Sequence, residues 1–134
     1  MDFGDRTPTD FDAAIAAALE RLPDEFRASL ENVAIVVDDY PTTGQLHATN
    51  APGLFGIYEG VPRTAYGASN APIANKITLF RRPLEMFNPH PDELVTAIES
   101  TLFHEIGHHM GLSDERLRQL EAERRRRQRT RAAD

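Results

Sequence analysis

His104, Glu105, His108, Gly111 and Asp114 stand in the order HExxHxxGxxD within residues 104–114. On a helix, positions four apart lie one turn from each other, about 6 Å along the axis, so both imidazoles can reach one metal ion. Glu105 sits at the edge of the same face. From there it can take a proton from a water activated by the ion without filling the ion's open position. If the helix ran straight on, Asp114 would lie about 9 Å past His108 and roughly 120° around the axis, out of reach of the same ion. Gly111 removes that obstacle, because glycine readily adopts left-handed backbone, ends a helix and turns the chain back. Asp114 can then close the site as a third ligand. It can also simply cap the following helix, in which case Glu115, Glu121 or Glu123 could supply the carboxylate. A bare HxxxH pair is often accidental, but glutamate, glycine and aspartate at these spacings point to metal-assisted hydrolysis of a peptide bond. The expected set is Zn2+ held by His104, His108 and Asp114, with Glu105 as catalytic base; other divalent ions suit the same donors.

The motif needs a helix whose back lies in a core. From Asp92 to Met110, at about 100° per residue, Leu94, Val95, Ile98, Leu102, Phe103, Ile106 and Met110 share one broad side. Ala97, Ser100, Thr101, His104 and His108 share the other. His109 falls on the apolar side and reads as a core or supporting histidine rather than a ligand. Upstream, DFDAAIAAALERL at 10–22 predicts a helix with an apolar stripe of Phe11, Ile15, Ala18, Leu19 and Leu22. Pro23 ends it and can open a short helix over 24–30. VAIVV at 33–37 predicts a strand buried on both faces. Residues 40–75 hold five of the eight glycines and four of the nine prolines, and read as loops around one short strand near Leu54 to Tyr58. NKITLF at 75–80 predicts another strand, and Pro83, Pro89 and Pro91 mark a connector. Residues 114–131 predict a last helix anchored by Leu117 and Leu120. His47 and His90 read as solvated loop residues. Tyr40, Tyr58, Tyr66 and Arg63 could stabilise an oxyanion, although packing or hydrogen bonding is their plainer role.

With 134 residues and 40% hydrophobic content, the chain suits one domain with one core. Residues 1–9 read as a disordered lead, 10–120 as the domain, and 121–134 as an arginine-rich helix end or tail. No apolar run approaches the length of a membrane span, and the acidic start does not resemble a secretory signal. There is no cysteine, so neither a disulfide framework nor a thiolate site is available. A cytoplasmic location is expected. Residues 116–134 hold 8 basic and 3 acidic groups, whereas residues 1–115 hold 7 and 18. Such a basic end can bind nucleic acid or an acidic partner. No aromatic residue lies in 116–134, however, and a solvated helix end is the preferred reading.

RLPDEF at 21–26, ENVAIVVDDYP at 31–41, LFGIYEGVP at 54–62, NKITLFRRPLE at 75–85 and HEIGHHMGLSDERL at 104–117 together resemble a family of small bacterial zincin-like metallopeptidases, first catalogued as a domain of unknown function. Within the zincins, the motif is similar to the metzincin pattern with aspartate as third ligand. The resemblance covers about residues 10–117. It implies an α+β, minimal zincin-like fold, with a small mixed β-sheet packed on the active-site helix. It also implies His104, His108 and Asp114 as zinc ligands, Glu105 as base, and a peptide or protein as substrate. In zincins the strand nearest the active-site helix can pair with an extended substrate, and NKITLF is the candidate for that edge. One departure stands out: no methionine follows Met110, so the usual methionine turn below the metal is absent. Only twenty residues follow Asp114, which leaves little chain for a lower wall of the cleft. The alternative to a peptidase is a zinc-binding interaction or regulatory protein derived from one, although Glu105 has no purpose in a purely structural site.

Overall fold

The computed structural model describes residues 8–49, 54–60 and 75–133. Among them are six α-helices and one three-stranded sheet, in the order α1 (Pro8–Arg21), α2 (Asp24–Ala28), β1 (Val33–Asp38), α3 (Thr43–Thr49), β2 (Gly56–Glu59), β3 (Asn75–Phe80), α4 (Arg81–Phe87), α5 (Pro91–His109) and α6 (Asp114–Ala133). A 3-10 turn, Ser29–Asn32, joins α2 to β1. The sheet runs β1-β3-β2, with β1 parallel and β2 antiparallel to β3. This is the α+β class, with a small mixed sheet packed against α5.

The core forms where three apolar faces meet. Helix α1 contributes Phe11, Ala14, Ile15, Ala18 and Leu22, and the central strand contributes Ile77 and Leu79. Helix α5 contributes Ile98, Leu102, Phe103 and Ile106, the stripe that its period predicts. Phe26 of α2 stacks on Phe103, with ring centroids 4.4 Å apart and planes 6° apart. Each such side chain is worth about 1.5–3 kcal/mol when fully buried, so α5 is held at a fixed rotation by several of them. Met110, at the end of the same stripe, is 38% exposed, because the helix has ended by that point.

Three expectations are corrected. Strand β1 is not buried on both faces; its residues are half-buried or exposed along the whole length. It lies at the edge of the described sheet, and a β-branched run alone does not distinguish an edge from a centre. Strand β3 takes the centre, pairing on both sides, so NKITLF is not an edge that could accept an extended substrate. The strand facing the histidine helix is β2, whose Tyr58 N–H donates to Glu105 Oε1 at 2.9 Å. The loop and connector segments also contain two further helices. Helix α3 starts with reciprocal capping: Gln45 N–H donates to Thr42 Oγ1 at 3.0 Å, and Thr42 N–H donates to Gln45 Oε1 at 2.9 Å. Helix α4 carries Pro83 within its first turn, where a missing N–H costs no intrahelical bond.

The last helix begins at Asp114 and continues through residues 121–133. Leu117 is fully buried against α5, and a Cβ on Gly107 would run into both Leu117 methyls. Beyond it, Arg124 donates to Glu99 and to the Arg21 carbonyl, and its guanidinium lies 4.9 Å from the centre of the Phe103 ring. Part of the arginine-rich end is thereby spent on the body of the protein. No helix among the described residues is long and apolar enough to cross a membrane.

Gly107 is the contact that lets α6 approach α5. Replacement by alanine should destabilise by about 1–3 kcal/mol, the usual cost of overpacking, despite alanine's better helix propensity. The expected readout is a lower urea midpoint with an unchanged slope; an equal or higher midpoint would show that Leu117 yields without cost.

Candidate active site

The end of α5 is built as a Schellman turn. Leu112 N–H donates to the Gly107 carbonyl at 2.9 Å, and Gly111 N–H to the His108 carbonyl at 3.0 Å. Gly111 has φ +86°, the left-handed backbone that its place in the sequence predicts. The turn redirects the chain so that α6 packs back across α5. Ser113 caps α6, its Oγ accepting from Arg116 N–H at 3.1 Å. Asp114 is therefore released from capping, and its Oδ1 meets His108 Nε2 at 2.6 Å.

His104 and His108 project from the same side of α5, both partly exposed. Each ring presents Nε2 to a carboxylate: Asp114 Oδ1 for His108 and Glu121 Oε1 for His104. Among the described residues, no three histidine, aspartate or glutamate side chains surround a single point closely enough to hold an ion. The donors meet as two pairs instead. The bond to His108, reinforced by the charge that ring carries when protonated, holds the Asp114 carboxyl below the usual aspartate range.

Glu105 occupies a different environment. Burial pushes its carboxyl above the ordinary glutamate range, opposed by the bond from Tyr58 N–H and by the nearby histidines. A carboxylate with raised basicity is suited to accepting a proton. Tyr58 braces this corner twice. Its backbone N–H holds Glu105, while its hydroxyl donates to Asn75 Oδ1 at 3.1 Å and meets His109 Nδ1 at 2.8 Å. His109 is thus half-buried beside Tyr58. The bond from the Tyr58 backbone had no signature in the sequence, since any residue but proline could donate it.

The other candidates lie apart. Tyr40 is 58% exposed. His47 lies exposed on α3, and His90 is exposed 3.8 Å from Glu93. Arg63 and Tyr66 fall outside the described residues. Of the fallback carboxylates, Glu121 reaches His104, while Glu115 is exposed.

Over residues 30–124 the chain matches the profile of the zincin-like metallopeptidases, and it belongs to that family. The matched span runs from just before β1 into α6, so it includes every side chain of the histidine cluster. None of the curated proteins matches the chain. Membership in this family implies a metal, with zinc the expected ion. The donor chemistry suits one: two imidazole nitrogens, two carboxylate oxygens and no sulfur, with Glu121 Oε1 buried against His104 Nε2.

Burial of the Glu105 carboxyl couples its protonation to folding. Above its unfolded-state pKa, the charged carboxylate costs folding free energy because it is desolvated only in the folded state. That stability is present in acid and lost as pH rises through the folded pKa. Metal-free Glu105→Gln should therefore melt higher than metal-free wild type at pH 7.5, with the gap closing as pH falls through the raised folded pKa into the ordinary glutamate range. A gap that is constant with pH would assign the difference to packing instead.

Proposed function

We propose that the chain is a zinc-dependent peptidase in which His104, His108 and Asp114 hold the ion and Glu105 is the general base. The observation that carries this reading is the setting of Glu105. It is a partly buried carboxylate with raised pKa, fixed by Tyr58 N–H, one position from a histidine whose Nε2 faces a second carboxylate. A structural metal site has no use for such a base.

A zinc ion on these donors would supply Lewis acidity toward the scissile carbonyl and lower the pKa of a water. The chain's own residues do the rest. Tyr58 N–H engages Oε1 of Glu105, which leaves Oε2 to take the water's proton as the water attacks the peptide carbonyl. Glu105 then gives that proton to the departing amine, so one carboxyl acts first as base and then as acid. Burial, which raises its pKa, makes it a better proton acceptor for the first half. Asn75 and His109 hold the Tyr58 ring, and through it the strand that orients Glu105. The substrate class is a peptide or protein.

The test joins zinc content with cleavage of an unbiased peptide library. Wild type is expected to hold one zinc per chain and to cleave. Glu105→Gln should keep the zinc and lose roughly 10²–10⁴-fold in kcat, the usual contribution of a positioned acid-base group. Stoichiometric zinc with no cleavage by wild type would favour the non-enzymatic zinc-binding reading.

A further inference from the structure

Glu121 lies on α6, seventeen positions after His104, and is 8% exposed. Its two oxygens have different surroundings. Oε2 accepts from Arg125 at 3.0 Å and from the Ser100 hydroxyl at 3.4 Å. Oε1 is buried, and among the described residues no hydrogen-bond donor meets it. It lies against His104 Nε2, in an approach without hydrogen-bond geometry. The carboxylate is thus turned so that one oxygen is anchored and the other is aimed at a ligand nitrogen.

The imidazole can satisfy that oxygen only while Nε2 carries a proton; with the free lone pair that a metal ligand needs, Oε1 would be left buried and uncompensated. A cation is the partner that would satisfy it. The relation of Glu121 to His104 repeats that of Asp114 to His108: one carboxylate oxygen set against one Nε2. Arg125 and Ser100 stand to Glu121 as outer partners stand to metal-bound carboxylates, fixing orientation through the remote oxygen. The packing of α6 is arranged for this. Leu117 against Gly107 and Arg124 against Glu99 lie on either side of Glu121 along the helix and hold it over His104.

We propose that Glu121 is a protein ligand to the same ion, bound through Oε1 from α6. The inference rests on the metal-site reading above and adds a donor to it. Four protein donors would fill a tetrahedral ion, whereas catalytic sites keep one position open. Substrate or water would therefore compete with a carboxylate, and Arg125, which holds the remote oxygen of Glu121, becomes a positioning residue for that exchange.

Metal binding by the full chain tests this, with Zn2+ alone measured by chelator competition and Co2+ alone by its visible absorption. Glu121→Gln should weaken zinc by about tenfold or more and move the cobalt bands. Glu121→His, which restores a donor, should recover zinc binding while changing the cobalt spectrum again; this arm holds even if the glutamine variant folds poorly. Arg125→Ala should weaken zinc less and leave the cobalt bands in place. If Glu121→Gln binds zinc like wild type with the same cobalt spectrum, or if Glu121→His leaves that spectrum unchanged, Glu121 is only an ion-pair partner and the peptidase reading stands without it. Wild type that binds neither ion overturns both.

Discussion

Helix α5 has almost no freedom to rotate about its axis, because Ile98, Leu102, Phe103 and Ile106 are each at most 1% exposed. Every feature of the candidate site depends on that restraint. With those four side chains facing α1, α2 and the sheet, His104 and His108 must face the opposite way, and Glu105 must lie at the boundary between core and solvent. The boundary position makes it useful: enough burial to raise its basicity, and enough proximity to β2 for Tyr58 to hold it. A rotation of one residue, about 100°, would bury an imidazole and expose the base.

The second determinant is the turn at Gly111. A helix that continued would carry Asp114 away from His108. The left-handed glycine instead folds α6 back across the histidine face, bringing in Asp114 from its first turn and Glu121 from its second. Gly107 allows the two helices to touch at Leu117, and the Glu99–Arg124 pair fixes the far end. Among the described residues, the small cluster is therefore assembled from two consecutive helices and one strand.

Much of this was legible in the sequence for identifiable reasons. The 3.6-residue period of α5 is strong because one face packs and the other does not, and Gly111 can be anticipated because few other residues tolerate φ +86°. Strand order was not legible. VAIVV and NKITLF have similar propensities, and only pairing across the fold sets one at the edge and the other in the centre. Helix α3 was signalled by Thr42-x-x-Gln45, a local pattern obscured by the glycines and prolines around it. Helix α4 was obscured by Pro83, which breaks a helix interior but suits a first turn. Within the site, Glu121 could be named as a carboxylate in reach, yet its aim at His104 depends on how α6 packs, which no local pattern encodes.

The most direct measurement is anomalous scattering at the zinc edge from crystals of the zinc-loaded chain. One peak is expected, about 2.0–2.1 Å from Nε2 of both His104 and His108 and within bonding distance of an Asp114 oxygen. Zinc bound elsewhere, or a zinc-soaked chain in which both imidazoles still contact only their carboxylates, would contradict the claim that α5 and the Gly111 turn build one metal centre.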